Sequence, residues 1–116
     1  MKNVLWISRH TLTEEQMVDL EKICHGSVSF TQIQESITDI HSIAPIIAAS
    51  DVIACVLPTH LLAELVALAS GKPVLVEECI RTMVYQKDDE PKVIFRHGCW
   101  KMIKKLEYEV CSPDIL

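Results

Sequence analysis

Glycine is scarce in this chain, with three in 116 residues. No GxGxxG, P-loop or GxSxG segment occurs, so the sequence lacks the usual loops for dinucleotide or triphosphate binding and the nucleophile elbow of hydrolases. The five cysteines, Cys24, Cys55, Cys79, Cys99 and Cys111, are odd in number and form no CxxC. That pattern argues against a secreted disulfide framework and against a zinc site of standard spacing. No two histidines stand four residues apart, and no acidic cluster resembles a metal site, so the expected chemistry uses neither metal nor cofactor. Long apolar runs are missing too. Pro45, Ser50, Asp51 and Thr59-His60 interrupt the richest region before it reaches the length of a membrane span. The start carries Lys2 but no long apolar stretch and no cleavage pattern. The expectation is a soluble, cytoplasmic protein that engages no membrane.

No Lys or Arg occurs between Lys22 and Lys72, and the formal net charge is −5. Broad electrostatic binding to duplex DNA is therefore not expected. Lys92, Arg96, Lys101, Lys104 and Lys105 crowd the C-terminal quarter, so a local anion site stays compatible with an acidic chain. The simplest reading of Lys101, Lys104 and Lys105 is a solvated strand face near Glu107 and Glu109.

What is present is a core-forming composition, 49% apolar, in a length suited to one domain, residues 1–116. Val4-Leu5-Trp6-Ile7 predicts a buried strand over Asn3 to Ser8. Thr13-Glu14-Glu15-Gln16 is a capping-box pattern opening a helix with Met17, Leu20, Ile23 and Cys24 on its apolar stripe. Gly26 suits the residue past its end. Val28, Phe30 and Gln32 mark a second strand. Ser42 can cap a short helix with Pro45 in its first turn. Val52 to Leu57 is a continuous apolar run, as a strand buried on both faces requires, and Cys55 within it reads as a small core residue. Thr59 can cap a third helix that runs to about Ser70 and stops at Gly71. Pro73 to Val76 predicts a fourth strand. Glu77 to Glu90 has no clear pattern beyond a turn at Asp88-Asp89-Glu90-Pro91. Lys92 to Val110 reads as a hairpin around His97-Gly98. The order β-α-β-α-β-α-β, then β-β, predicts an α/β fold: a mainly parallel sheet with helices on both faces and a C-terminal antiparallel hairpin extension.

Two segments place polar groups where such a sheet binds ligands, at the carboxyl ends of its strands. Ser8-Arg9-His10 follows the first strand and Pro58-Thr59-His60 the third. Arg9 offers a planar fork of donors for phosphate oxygens. His10 can donate or accept a proton. Ser8 and Thr11 add hydroxyls. Thr59, as a helix cap, would leave backbone N–H groups for an anion, with His60 in the first turn and Glu64 one turn on. Each has a plainer reading. Arg9 can pair with a carboxylate, His10 can pack at a helix start, Thr59 can simply cap, and His60 can be a solvated first-turn residue. His25 adjoins a helix end, His41 lies in an ambiguous segment, and His97 falls in the expected hairpin turn.

Ile7-Ser8-Arg9-His10, His10-Thr11-Leu12-Thr13-Glu14-Glu15-Gln16 and Val56-Leu57-Pro58-Thr59-His60-Leu61-Leu62-Ala63-Glu64-Leu65 resemble segments of the small CRISPR-associated ring nucleases. The matched segments cover about a fifth of the chain. The resemblance implies a Rossmann-like three-layer fold and a homodimer that binds cyclic oligoadenylate across its two-fold axis. It implies degradation of that second messenger of type III CRISPR antiviral defence without a metal. On this resemblance Arg9 would hold the phosphate, and His10 would be an acid, a base or a positioning donor. Thr59 and His60 would contact the phosphate-ribose backbone, with Ser8, Thr11 and Pro58 beside them. The products would be short linear oligoadenylates with 2′,3′-cyclic phosphate ends, and cyclic tetra-adenylate is the first candidate substrate. A non-catalytic sensor of the same ligand and a protein-interaction domain using the hairpin edge remain alternatives.

Overall fold

The structure, a computed structural model, describes residues 1–84 and 90–103. Its elements are β1 (Lys2–Ile7), α1 (Glu14–Cys24), β2 (Val28–Ile33), a 3-10 turn (Ile40–Ile43), α2 (Ala44–Ala49), β3 (Val52–Cys55), α3 (Thr59–Ala69), β4 (Val74–Val84) and β5 (Lys92–Met102). The strands form one five-stranded sheet in the order β2-β1-β3-β4-β5. All neighbouring pairs are parallel except β4 and β5, which are antiparallel.

The central strands carry apolar side chains on both faces, as burial on both sides demands. Leu5, Ile7, Ile53 and Cys55 pack with Ile43, Ile47, Leu61 and Leu65, so α2 and α3 lie on one face. Val4, Trp6, Val52 and Ala54 pack with Leu20, Cys24 and Trp100, so α1 covers the other. Trp6 and Trp100 meet edge to face, with centroids 5.7 Å apart. Burial of Cys55 in β3 pushes its thiol up to about 12, consistent with a small apolar core residue. Among the described residues, no helix is long and apolar enough to cross a membrane.

The capping box of α1 forms as its sequence predicts. The Gln16 N–H donates to Thr13 Oγ1, and the Thr13 N–H donates to Gln16 Oε1 at 2.8 Å. Elsewhere local chemistry chose different residues. Asp39, not Ser42, caps the segment leading into α2, accepting from the His41 N–H at 3.0 Å, while the Ser42 hydroxyl donates back to the Asp39 carbonyl. Pro45 does sit in the first turn of α2. The cap of α3 is Pro58, and Thr59 is the first helical residue without a side-chain cap bond. The proline holds extended geometry there, φ −60° and ψ 153°, so the helix can only begin after it.

The largest departure concerns the C-terminal hairpin. His97-Gly98 is not a turn. Both lie in the middle of β5, which runs unbroken to Met102, and the antiparallel partner is a β4 extended to Val84. The segment after Glu77, which had no clear pattern, is thus strand as far as Val84. Gly98 marks a β-bulge: Glu78 pairs with Cys99 and Cys79 with His97, leaving Gly98 as the extra residue. A Cβ at Gly98 would come 2.5 Å from the Glu78 carbonyl oxygen, so the pairing needs a glycine. Without a bulge, His97 and Trp100 would face opposite sides of the strand. With it, their rings lie on one face, 5.6 Å apart, under α1. The expected hairpin arm over 104–110, together with Lys104, Lys105, Glu107, Glu109 and Cys111, lies outside the described residues.

Candidate functional site

The chain leaves β1 through α1 to reach β2 on one side, then crosses back to β3 and β4 on the other. The strand order therefore reverses between β1 and β3. At such a reversal the loops diverge to opposite faces and leave a crevice at the carboxyl ends of the strands. A hollow of about 330 Å³ lies there. Ser8, Arg9 and His10 line it from β1, Val56, Leu57 and Pro58 from β3, and Leu61 from α3. Glu35, Ser36 and Ile37, which follow β2, supply a third side.

The β1 loop is held by its own strand and its neighbour. The Trp6 indole donates to the His10 carbonyl at 2.7 Å, so a core residue fixes the loop's far end. The Gln32 amide donates to the Ser8 carbonyl at 3.0 Å and to the His10 carbonyl at 2.9 Å. The Ser8 hydroxyl, buried, accepts from the His10 N–H at 3.2 Å. Three carbonyl and hydroxyl positions are thus anchored, which leaves the Arg9 and His10 side chains exposed. The Arg9 guanidinium donates to Ser36 Oγ, which turns it towards the loop after β2. Glu35 puts a carboxylate on the same wall, so the hollow is of mixed charge.

Of the residues singled out in the sequence, Ser8, Arg9, His10 and Pro58 line this hollow. Thr11, Thr59 and His60 do not; Thr59 and His60 are exposed in the first turn of α3, beside the lining residues Pro58 and Leu61. The sequence reading missed Glu35, Ser36 and Gln32. Their one available signal was position: they follow or end a strand that lies next to β1.

It also missed the chemistry at His97. Comparison with protein-family models, with curated proteins and with solved structures returned no match. The residues alone therefore carry the functional argument. His97 Nδ1 lies 2.7 Å from Glu77 Oε2, and Nε2 lies 2.9 Å from Asp19 Oδ2. The His97 side chain is only 7% exposed. Burial opposes its charge, but hydrogen bonds and the charges of Asp19 and Glu77 together outweigh that cost and raise its pKa above the ordinary value. Glu77 also accepts from the Gln16 amide and, at 2.8 Å, from the Cys79 thiol. Burial alone would raise the Glu77 carboxyl, yet the hydrogen bonds and the imidazole bring it below the usual carboxylate range. The cluster borders a second hollow of about 510 Å³ edged by Glu14, Glu15 and Lys22. Both imidazole nitrogens are engaged within the protein, so His97 ties α1 to the β4–β5 pair.

Proposed function

We propose that this chain is a metal-independent ring nuclease of Rossmann-like fold, acting in the cytoplasm on cyclic oligoadenylate, with cyclic tetra-adenylate as the first substrate to try. The observation that supports this reading is the hollow at the strand-order reversal, where Ser8, Arg9 and His10 stand opposite Val56 to Pro58. Its volume lies at the small end of the range for ligand pockets, about 300–1,000 Å³. One hollow suits one nucleotide unit rather than a whole ring, so the ring is shared between two copies in a homodimer.

The chemistry asks little of the protein. A ribose 2′-oxygen attacks the adjacent phosphorus, the bond from phosphorus to the 5′-oxygen breaks, and a 2′,3′-cyclic phosphate forms. The 2′-hydroxyl proton leaves to a base, and the departing 5′-oxygen takes a proton from an acid. Arg9 holds the phosphoryl oxygens and favours the charge that grows on them. His10 serves as the base, the acid or the donor that sets the 2′-oxygen in line. The Ser8 hydroxyl and the Pro58 turn shape the contact to the sugar, with Thr11 outside the lining of the hollow. Thr59 and His60 hold the first amides of α3, which lack an intrahelical acceptor, and meet the part of the ring beyond one copy's hollow.

A second reading is a sensor that binds the ring intact. It is favoured by one feature: among the described residues, no carboxylate orients the His10 imidazole. Incubation of the protein with cyclic tetra-adenylate in EDTA tests both. Linear products ending in 2′,3′-cyclic phosphate support the nuclease. Tight binding with the ring recovered intact supports the sensor. Neither binding nor cleavage removes both.

A further inference from the structure

β4 outruns its neighbour. β3 ends at Cys55, paired with Val76, and beyond that point β4 runs to Val84 with β5 beside it. Eight residues at about 3.3 Å each raise this two-stranded arm roughly 26 Å past the end of β3. The bulge at Gly98 divides it. On the sheet side of the bulge, Gln16 of α1 holds both strands: its amide donates to Glu77, and its carbonyl accepts from the Trp100 indole at 3.3 Å. On the far side, among the described residues, two polar contacts reach α1. They are His97 to Asp19 at 2.9 Å and Arg96 to Glu15 at 4.0 Å. Between α1 and His97-Gly98 lies the hollow of about 510 Å³, lined mostly by charged side chains, so apolar packing adds little at this joint.

The His97 contact depends on one proton. An ionised carboxylate only accepts, so an imidazole that faces one through each nitrogen must donate through both. Imidazolium alone has two N–H donors. Burial opposes that charge, and the bonds to Asp19 and Glu77 outweigh it. Neutral His97 would keep one donor and turn a lone pair on the other carboxylate. The two carboxylates are not equal. The Glu77 side chain is 9% exposed and also accepts from the Gln16 amide and the Cys79 thiol. The Asp19 side chain is 36% exposed and, among the described residues, has no hydrogen-bond partner but His97. The remaining proton therefore stays on Nδ1, towards Glu77, and Asp19 turns to water. The other groups around the imidazole do not replace that tie. α1 adds Glu14, Glu15 and Lys22, and β4 adds Cys79. β5 adds Arg96, while its Cys99 faces the opposite side, towards Glu78. The helix side of the joint is left acidic.

We propose that His97 is a proton latch for the arm: as imidazolium it ties the strands to α1 beside the bulge, and when it loses a proton Asp19 lets go and the arm beyond Gly98 comes free of the helix. The Arg96–Glu15 pair that remains is exposed on both sides and holds little. A two-stranded ribbon without a brace is marginal in water, so the freed arm frays. The bulge is its pivot, because the ladder is already interrupted there. The device is local, since Leu20 and Cys24 keep α1 on the sheet in either state. It acts whatever the Ser8–His10 hollow binds, and so stands apart from the nuclease reading.

The test follows hydrogen exchange, corrected for its intrinsic pH dependence, in the full chain without nucleotide from pH 6 to 9. The imidazole nitrogen resonances of His97 give its titration midpoint and its tautomer. Amides of 80–83 and 93–96 should lose protection about tenfold or more as pH rises through that midpoint, which lies above 6.5. At pH 9 their exchange should be nearly independent of low urea, the mark of a local opening, while amides of β1 and β3 follow urea as global unfolding does. Neutral His97 should carry its proton on Nδ1. Asp19→Asn alters a partly exposed helix residue. It should remove most of the arm's protection at pH 6 and flatten the step, with far-UV circular dichroism unchanged. An arm that follows urea at pH 9 with the slope of β1 and β3 overturns the proposal, because it then opens only with the whole fold. So does protection that ignores the His97 midpoint, a neutral proton on Nε2, or a step that Asp19→Asn leaves in full. If Asp19→Asn fails to fold, the exchange profile and the tautomer of the unaltered protein still decide.

Discussion

Glu77 Oε2 and His97 Nδ1 lie 2.7 Å apart, one on β4 and one on β5, beneath helix α1. Their pKa values move in opposite directions, which makes stability depend on pH from both sides. His97 is raised above 6.5, so its contribution is complete below 6.5 and is lost as pH rises through the folded value. Glu77 is lowered below 4.5, so its contribution is complete above 4.5 and is lost as pH falls through its folded value. The melting temperature should peak between these limits and decline above about pH 6.5. His97→Gln should flatten the alkaline decline and lower stability by about 1–3 kcal/mol at pH 6, since Glu77 and Asp19 lose a charged partner. Thermal melts from pH 4 to 9 check this; an unchanged alkaline slope in the variant would refute it.

Cys79 tests the same cluster from its edge. Its thiol donates to Glu77 Oε1 and is pushed up to about 11 by that hydrogen bond first, then by burial and the carboxylate charge. At pH 8 only about a thousandth of it is thiolate, so alkylation should be tens of times slower than at an ordinary exposed cysteine. Glu77→Gln should speed the reaction at Cys79 severalfold, measured by mass spectrometry of the modified peptide.

Gly98→Ala addresses the bulge. The added Cβ meets the backbone oxygen of Glu78 at 2.5 Å and Ile80 Cγ1 at 3.1 Å, and backbone cannot yield cheaply. A loss of about 1–3 kcal/mol is expected in denaturant unfolding. The NMR or fluorescence signature of Trp100 should also shift, because the bulge sets its facing.

Trp6→Phe keeps a large ring in the core but removes the indole donor to the His10 carbonyl. Gln32 still reaches that oxygen, so the expected cost is about 1 kcal/mol beyond the change in packing. Faster hydrogen exchange at residues 9–11, with β1 itself unaffected, would show that the indole fixes the loop. No change there would mean that Gln32 suffices.

For the proposed reaction, His10→Ala should lower turnover about 10²–10⁴-fold with little effect on binding, and Arg9→Ala should weaken both. Single-turnover cleavage and equilibrium binding of cyclic tetra-adenylate separate the two effects. Activity equal to the unaltered protein in both variants would remove this hollow from consideration.

Some features were legible in the chain because their causes are local. Val4 to Ile7 and Val52 to Cys55 are uninterrupted apolar runs, and only a strand covered on both faces uses one. Thr13 and Gln16 satisfy each other's backbone N–H groups across three residues. Other features misled for equally physical reasons. Thr59 has the side chain of a cap, but Pro58 before it already holds the extended conformation a cap requires. Ser42 and Asp39 can both cap, and the choice fell to the carboxylate that reaches His41. His97-Gly98 has the composition of a turn, and the same glycine serves a bulge when a long partner strand lies alongside.

By itself, then, the amino-acid order determined the strands and helices as far as Val76, and that polar groups follow β1 and β3. Those outcomes depend on periodicity and capping within a few residues. Only the tertiary structure decided that β2 lies beside β1, so that Glu35 and Ser36 join Arg9 at one hollow, and that β4 outruns β3 to raise an arm. It likewise decided that Asp19 and Glu77, 58 positions apart, close on His97. Strand order and register follow from which faces can be buried together, a property of the assembled sheet that no short stretch of sequence contains.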